Sequence, residues 1–436
     1  MSGKHKPSGK TWTVLIYANG NNDMEPEIYR GIKAVREAPV PENVKVIIQL
    51  ARAPKLLVQV FRGQAEYPPD EQWQGVRRYL ITHTGMTQVA DLGPVNMADP
   101  STLADFLIWG YRNYPADCIM VIVSGHGAGF TGLLTDYTQP YPVIMSLKGL
   151  TAAFRHFRRE TGKQCTILVI DACFMNMIEV WYELALTPTR PVRFLLTPLG
   201  DASMECLPYQ MIIRELCTSL NRKISALQYV AGIVPAVNGA DKISGDILAV
   251  NLAATNFVQL KDIIDQLAGC IIANNLDLAT ILGEEYRRSL QYPLLNVLQL
   301  NARLADACPL GRLPHFNLPA VLDSIIPVPP YATQSKLDTL EANIFLPITP
   351  GLYPCFSSDY EQLLFAANNR WLQVLRSIED ADYGVIPCSR SKQVTLPPPV
   401  SMPISSVMYS LQAQAPHLSG EEVQKILKDL GWHKSQ

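Results

Sequence analysis

The sequence predicts an α/β protein: a sandwich with helices on both faces of a mostly parallel sheet, followed by a smaller C-terminal subdomain. Three observations predict this fold class. Short runs rich in β-branched residues recur along the chain, helical patterns separate them, and helical patterns dominate after residue 250. The runs are uniformly apolar rather than alternating, which is typical of strands buried on both faces of a parallel sheet.

The predicted elements alternate between strand and helix. The predicted strands are Thr13–Tyr17, Val44–Leu50, Ile119–Val123, Thr166–Ile170 and Val192–Thr197. A helix over 100–114, with Ser101 as its cap, precedes the third strand, and helices over 147–157 and 175–186 flank the fourth. In the C-terminal part the pattern predicts helices over 257–274 and 278–290 and a strand over 343–346.

The same reading divides the chain into four parts. Residues 1–10 form a polar tail, 11–250 the main domain, 251–376 the C-terminal subdomain, and 377–436 a proline-containing linker and tail. Within this last part, prolines 397–399 make the chain stiff and extended, and residues 419–431 form a capped helix that ends in glycine. We expect this tail to be an appendage whose helix could dock a partner.

Composition excludes several classes of function. The 436 residues include 37 basic and 39 acidic side chains, a net charge of -2 without long blocks of either sign, so we expect no nucleic-acid partner and no anionic membrane partner. The N-terminus lacks the apolar segment of a secretory signal, and no apolar run approaches the roughly 18 residues that span a bilayer. Nine scattered cysteines without a C-x-x-C pair argue against a disulfide framework or a zinc cage. These features predict a cytoplasmic protein in a reducing compartment.

Two reactive side chains each follow a predicted buried strand. His126 comes shortly after Ile119–Val123, and Cys173 comes shortly after Thr166–Ile170. Because ligands bind beyond the carboxyl ends of parallel strands, both side chains should emerge at the same edge of the sheet. A thiolate is a nucleophile, and a neighbouring histidine can take its proton. The pair therefore predicts a Cys-His nucleophilic site.

The same loops offer the other groups that acyl transfer needs. Gly127 can bring its backbone N–H close to a substrate oxyanion because it has no side chain, and the N–H of Cys173 is the second expected donor. If the helix over 175–186 begins next to Cys173, its N-terminus should lower the pKa of the thiol. No third member of a catalytic triad can be identified from the sequence.

One competing motif is Gly127-Ala-Gly129-Phe-Thr-Gly132, which fits the dinucleotide-binding pattern G-x-G-x-x-G after a strand. That pattern requires a helix that starts within the glycines. Here Pro140 and Pro142 follow, which would break such a helix, and no strand-borne acidic residue follows about 20 positions later. A dinucleotide enzyme is therefore the weaker alternative.

Ordered blocks of sequence resemble the clostripain family of cysteine peptidases, relatives of caspases, legumains and gingipains. The blocks are Trp12-Thr-Val-Leu-Ile-Tyr17 with Asn21-Asn-Asp23, Gly93-Pro-Val-Asn96-Met-Ala-Asp-Pro100, Ser124-Gly-His126-Gly-Ala-Gly-Phe130, Asp171-Ala-Cys173-Phe-Met-Asn-Met-Ile-Glu179, Ala202-Ser-Met-Glu205-Cys-Leu-Pro208-Tyr209 and Tyr360-Glu-Gln-Leu-Leu-Phe365. They extend over roughly residues 11 to 375, and ordered blocks are far more specific than a His-Gly dipeptide. The resemblance implies a caspase-like fold and endopeptidase activity after basic P1 residues, arginine or lysine.

The resemblance also directs attention to substrate-binding acids. Asp171, next to the nucleophile, and Asp201, after the strand Val192–Thr197, are the candidates for an S1 pocket that binds a guanidinium. The chemistry itself requires no cofactor, although calcium dependence occurs in the family. Some members cut themselves after a basic residue between the two catalytic loops, but residues 131–146 contain no lysine or arginine. Besides an active peptidase, a catalytically latent scaffold that recruits partners remains an alternative.

Overall fold

The computed structural model describes most of the chain. The described residues are 10–62, 73–140, 142–186, 189–220, 224–240, 246–284, 286, 294–307, 317–328, 341–346, 356–367, 369–383 and 400–401.

The strands and helices follow one another along the chain as an α/β protein requires. The strands are β1 (Trp12–Gly20), β2 (Val44–Arg52), β3 (Gly75–Thr82), β4 (Gly85–Gly93), β5 (Cys118–Ser124), β6 (Gly132–Asp136), β7 (Val143–Ser146), β8 (Cys165–Asp171), β9 (Val192–Pro198), β10 (Ile247–Asn251), β11 (Leu294–Asn296), β12 (Asn343–Phe345) and β13 (Val400–Ser401). The helices are α1 (Glu25–Val35), α2 (Lys55–Arg62), α3 (Pro100–Asn113), α4 (Leu147–Thr161), α5 (Ile178–Ala185), α6 (Tyr209–Thr218), α7 (Ala226–Asn238), α8 (Phe257–Ala273), α9 (Leu278–Leu282), α10 (Val297–Ala307), α11 (Leu318–Ile325), α12 (Phe356–Glu361) and α13 (Trp371–Tyr383).

The main sheet has eight strands within the described residues, in the order β10-β9-β8-β5-β1-β2-β3-β4. Strand β1 pairs parallel with β2 and β5, and β8 pairs parallel with β5 and β9. The pairs at both edges, β9 with β10, β2 with β3 and β3 with β4, are antiparallel. The predicted α/β fold with a mostly parallel sheet is therefore confirmed, with antiparallel strands at its two edges.

Helices cover both faces of this sheet. Along β1, Leu15 and Tyr17 belong to the apolar cluster that also includes side chains of α3, α4, α5 and α8. Val14 and Ile16 belong to the opposite cluster, which includes side chains of α1, α6 and α7. Because successive side chains of a strand point to opposite faces, a uniformly apolar strand supplies both clusters at once. This arrangement is the α/β/α sandwich that the apolar runs predict.

The predicted parallel strands are found at their predicted positions, each extended by a few residues. The antiparallel edge strands β3, β4 and β10 were not predicted. In β3 and β4 many side chains are half-buried or exposed, so these strands lack the fully apolar runs that marked the central ones.

Two helix starts differ from the prediction. The cap of α3 is Asp99 rather than Ser101, because the Asp99 carboxylate accepts hydrogen bonds from Ser101 N at 2.8 Å and Ser101 Oγ at 2.7 Å. Helix α5 begins at Ile178 rather than at residue 175, so residues 172–177 form a loop between Cys173 and the helix.

The C-terminal part packs on the α5 side of the main domain. The predicted strand over 343–346 is present as β12, which pairs antiparallel with β11. The buried carboxylate of Glu179 on α5 accepts hydrogen bonds from Phe345 N at 2.9 Å and Tyr360 Oη at 2.7 Å. Glu183, one turn later on α5, accepts from Phe365 N at 3.0 Å. Two acidic side chains of α5 thus hold the C-terminal segments against the helix that follows the cysteine.

The tail and the proposed domain boundaries stay predictions. Val400–Ser401, from the proline-containing stretch, pairs antiparallel with β7, the middle strand of a three-stranded sheet with β6. The predicted tail helix over 419–431 lies outside the described residues.

The cysteines differ in part from the expectation. Within the described ranges Cys118, Cys165, Cys173, Cys206 and Cys217 are free thiols. Cys270 on α8 is disulfide-bonded. No helix in the described part of the chain is both long and apolar enough to cross a bilayer.

Candidate active site

The candidate site lies at the carboxyl edge of the central parallel strands. Strands β5 and β8 are neighbours, and Ser124 pairs with Asp171 at their ends. The histidine loop (residues 125–131) leaves β5, and the cysteine loop (residues 172–177) leaves β8. Strand β1, on the other side of β5, ends at the same edge and leads to Asp23. The topology therefore brings His126, Cys173 and Asp23 to one edge.

The histidine and cysteine loops contact each other at Gly127. A Cβ atom at this position would overlap the carbonyl oxygen of Cys173 and would lie 2.9 Å from its nitrogen. Only glycine allows the two backbones to come this close. Neither the N–H of Gly127 nor that of Cys173 donates to another described residue. Two backbone donors therefore lie side by side and unengaged next to the thiol, as an oxyanion-binding pair requires.

His126 is paired with Asp23. Its Nε2 lies 2.7 Å from Asp23 Oδ1, and the Asp23 side chain is only 4% exposed. Burial acts to lower the pKa of His126, but the charge and hydrogen bond of Asp23 raise it more, so the net shift is upward. Burial acts to raise the pKa of Asp23, whereas His126 lowers it, and the net shift is downward. With Nε2–H donating to Asp23, Nδ1 carries the lone pair that can accept a proton.

A buried polar network fixes the loop that carries Asp23. Asn22 Nδ2 donates to Asn19 O and to Thr135 O of β6, both at 3.1 Å. Asn21 Nδ2 donates to Asp136 Oδ2 at 2.8 Å, and this carboxylate oxygen also accepts from Met97 N at 2.8 Å. The network ties the end of β1 to β6, the strand that follows the histidine loop. Asp23 and His126 are therefore held by the same scaffold.

Aromatic rings pack beside the imidazole. The ring of Tyr137 stacks on His126 with a centroid distance of 6.1 Å and an interplanar angle of 21°. The ring of Phe61 stacks on Tyr137 at 5.0 Å. Three rings in a column restrict the orientation of His126 and keep water from one side of its ring.

The thiol of Cys173 is in a less favourable electrostatic environment. Its Sγ lies 3.8 Å from Ala202 O, towards which the S–H can donate. Burial, then a hydrogen bond with Asp201 and its charge, and finally the charge of Asp171 raise the pKa of Cys173 to about 12. The expectation that a helix N-terminus lowers this pKa is wrong: α5 starts too far along the chain, and two carboxylates lie closer. In this conformation the thiol is protonated at neutral pH.

The two acidic residues proposed for substrate binding occupy different environments. Asp171 is buried, and its Oδ2 accepts hydrogen bonds from Leu207 N at 3.0 Å and from the hydroxyl of Tyr209. Ser124 Oγ lies 3.4 Å from the same oxygen. Burial raises the pKa of Asp171 despite these donors. Asp201, in contrast, is exposed in the loop after β9.

The loop after β9 (residues 199–208), here called the acidic loop, is fastened to the cysteine loop. Phe174 N donates to Gly200 O at 2.9 Å, and Asn176 Nδ2 donates to Leu199 O at 2.8 Å. Phe174 has a φ of 62°, a left-handed conformation that costs a residue other than glycine about 1–3 kcal/mol. The turn after Cys173 is thus held in a strained conformation by its bonds to the acidic loop.

Sequence reasoning did not select Asp23 as a candidate site residue, although it lies in the segment Asn21-Asn-Asp23 that resembles the clostripain family. Its signal is positional: it follows the apolar run of β1, and β1 lies next to β5 in a parallel sheet. The edge rule that joined His126 and Cys173 applies equally to Asp23.

The glycine run after His126 does not form a nucleotide-binding helix. Residues Gly129–Thr131 form a single 3₁₀ turn, and β6 begins at Gly132. Without a helix that starts at the glycines, the run lacks the N-terminus on which a pyrophosphate would sit.

The histidine, cysteine and acidic side chains of the described residues do not form a metal-binding cluster either. Over these ranges no group of three or more His, Cys, Asp or Glu side chains could hold a metal ion.

Comparison with known proteins supports the resemblance seen in the sequence. A model of the clostripain family matches residues 84–287, a range that includes His126, Cys173 and Asp201. No curated protein matches the chain.

Solved structures of cysteine proteases from this peptidase family share the fold. The chain is similar to iotapain, a secreted protease from Bacteroides thetaiotaomicron, with a TM-score of 0.56, 13% identity, and coverage of 83% of this chain and 99% of that one. A secreted protease of the same family from Bacteroides thetaiotaomicron, bound to an irreversible peptide inhibitor, has a TM-score of 0.54 and 13% identity, with coverage of 82% of this chain and 98% of that one. An inactive zymogen from Parabacteroides distasonis has a TM-score of 0.52 and 15% identity, with coverage of 83% of this chain and 99% of that one.

Proposed function

We propose that this chain, which the clostripain family model matches over residues 84–287, is an endopeptidase that cleaves after basic P1 residues, arginine or lysine. Cys173 is the nucleophile and His126 the acid and base. The observation that carries the proposal is the contact of the two catalytic loops at Gly127, beside an exposed carboxylate at Asp201.

The proposed reaction is acyl transfer. His126 Nδ1 takes the proton of the Cys173 thiol, and the sulfur attacks the scissile carbonyl carbon. The N–H groups of Gly127 and Cys173 stabilise the oxyanion. When the C–N bond breaks, His126 returns the proton to the leaving amine, and water then hydrolyses the thioester with His126 as the base. Asp23 holds the imidazole in the required tautomer throughout.

The proposed S1 pocket uses both acidic candidates in different ways. Asp201 is exposed and can form a charged hydrogen bond with a guanidinium or ammonium group. Asp171 already accepts hydrogen bonds from Leu207 N and the Tyr209 hydroxyl, so it contributes negative charge to the pocket rather than a bidentate pairing with the substrate. Protein or peptide substrates follow from the family; their sequence beyond P1 is open.

A latent scaffold is the second candidate, because the pKa of Cys173 is raised to about 12 in this conformation. A thiol-reactive arginyl ketone separates the two. In an active peptidase the reagent labels the thiol of Cys173 selectively, whereas in a scaffold no cysteine is labelled selectively.

Fluorogenic peptides with Arg, Lys, Asp, Asn or Leu at P1 test the proposal directly. We expect cleavage after arginine or lysine, abolished in Cys173→Ala and retained in Cys217→Ala, which removes a half-buried thiol on α6. Cleavage after a different residue would keep Cys173 as nucleophile but overturn the roles of Asp171 and Asp201. Activity that persists in Cys173→Ala would overturn the site.

Partners, cofactors and location of the protein are also proposed from its sequence. We propose no nucleic-acid or membrane partner, no cofactor for the chemistry, and a cytoplasmic location. Free thiols favour a reducing compartment, whereas the disulfide at Cys270 favours an oxidising one. Counting thiols in protein isolated with and without alkylation decides the redox state, and assays with a calcium chelator decide calcium dependence. The tail helix over 419–431 as a docking element is tested by its deletion.

A further inference from the structure

The acidic loop lies against the side chain of Cys173. Ala202 O lies 3.8 Å from Cys173 Sγ, and Phe174 N is bonded to Gly200 O. Asp201, between these two contacts, is exposed to solvent. The residue proposed to bind the substrate's charge is therefore the residue that flanks the thiol.

The charges around the thiol are unequal. Asp201 from the acidic loop and Asp171 from β8 both oppose a negative sulfur. His126, which precedes the Gly127 contact, is the cationic candidate on the other side, but its Nε2 is bonded to Asp23. Before substrate binds, two carboxylates therefore favour the neutral thiol.

We propose that a basic P1 side chain itself activates the nucleophile. By pairing with Asp201, the P1 cation draws this carboxylate away from Cys173 and neutralises the negative charge of the carboxylate. The proton of the thiol then passes to His126, and the thiolate forms only when a cationic side chain fills the pocket. Recognition and activation become one event. This inference rests on the proposed preference for basic P1 residues and adds a regulatory role for Asp201.

Linkage makes the effect reciprocal. If a cation in the pocket favours the thiolate, the thiolate form must bind the cation more tightly, by the same factor. Affinity for a cationic ligand should therefore rise with pH, and this rise should disappear when Cys173 is replaced by alanine.

The experiment measures iodoacetamide alkylation of Cys173 by peptide mass spectrometry between pH 6 and 9, without and with benzamidine. Benzamide, which has the same shape but no charge, is the matched ligand control. Asp201→Asn is the test variant, and Glu205→Gln removes an exposed carboxylate of the same loop that is not among those acting on the thiol. Thermal shift with benzamidine reports binding independently.

We expect benzamidine to accelerate alkylation at a given pH by about ten-fold, the effect of lowering the thiol pKa by about one unit. Asp201→Asn should be alkylated faster without ligand and should no longer respond to it, while Glu205→Gln behaves as wild type. Benzamide should give no acceleration.

The outcomes separate the inference from the proposed function. Benzamidine that binds but does not accelerate alkylation overturns the proposed activation and leaves the basic pocket intact. Benzamidine that does not bind overturns the basic P1 preference and the ligand-driven activation with it. In that case the rate of Asp201→Asn without ligand still decides whether this carboxylate controls the thiol.

Discussion

The two halves of the proposed active site are prepared to different degrees. On the histidine side, Asp23 fixes one nitrogen of the imidazole, a buried network fixes Asp23, and Tyr137 packs on the ring. On the cysteine side, a strained turn holds a thiol whose pKa is raised to about 12 by burial and two carboxylates. In the proposed mechanism the base is therefore ready before substrate arrives and the nucleophile is not, so control of activity is expected on the cysteine side.

The largest effect is expected when the negative charge of Asp23, the partner of His126, is removed. In Asp23→Asn the hydrogen-bond geometry survives, but the amide can hold His126 in the wrong tautomer and no longer stabilises its charged form. We expect kcat/KM to fall by about 10²-fold or more. Peptide hydrolysis against pH measures it, with Asp105→Asn, an exposed residue on α3, as control.

The pH profile of the same variant has a defined sign. Asp23 raises the pKa of His126, so in wild type the unprotonated base appears only above its usual titration range. Removing that charge lowers the pKa, and the acidic limb of kcat/KM should move to lower pH. An unchanged limb together with unchanged activity would show that Asp23 does not act on the base.

The sequence predicts the two halves unequally as well. His126 and Cys173 follow apolar runs, and apolar runs identify buried parallel strands, so the contact between their two loops could be predicted from strand position alone. The proposed oxyanion donors follow from the glycine that allows this contact. Asp23 obeys the same rule but was not selected, because the strand order that places β1 beside β5 is not visible in a single strand.

The electrostatics of Cys173 could not be predicted because they depend on distances across loops. The sequence indicates a helix soon after the cysteine but not that it begins only at Ile178. Nor does it show that the acidic loop folds back until Ala202 O lies beside the sulfur. The antiparallel strands β3 and β4 could not be predicted for a related reason: their half-exposed faces lack the apolar pattern that marks the core.

A second test concerns the support of the cysteine side. Burial raises the pKa of Glu179 to about 7, although Phe345 N and Tyr360 donate to it. A folded-state pKa above the unfolded value stabilises the fold at low pH, and this contribution is lost as pH rises through about 7. Glu179→Gln keeps an acceptor for both donors but cannot ionise. It should stabilise the protein by about 1–3 kcal/mol at pH 8 and have little effect at pH 5.

Urea unfolding of wild type and Glu179→Gln at the two pH values measures this difference. Glu183, whose pKa is also raised to about 7 by burial, acts in the same sense and remains in both proteins. Equal destabilisation by Glu179→Gln at both pH values would indicate lost hydrogen bonds rather than relief of a buried charge.

The smallest expected effect concerns the ring that packs on the base. Tyr137 is 8% exposed and stacks between His126 and Phe61, so its ring rather than its hydroxyl should orient the imidazole. An aromatic pair is worth about 0.5–1.5 kcal/mol, which corresponds to a decrease in kcat of about 2- to 13-fold in Tyr137→Leu. Tyr137→Phe should retain kcat because it retains the ring. KM should stay unchanged in both, since Tyr137 acts on the base and not on the P1 pocket. If Tyr137→Phe were as impaired as Tyr137→Leu, the hydroxyl would be the active part, and the base would depend on a polar contact rather than on packing.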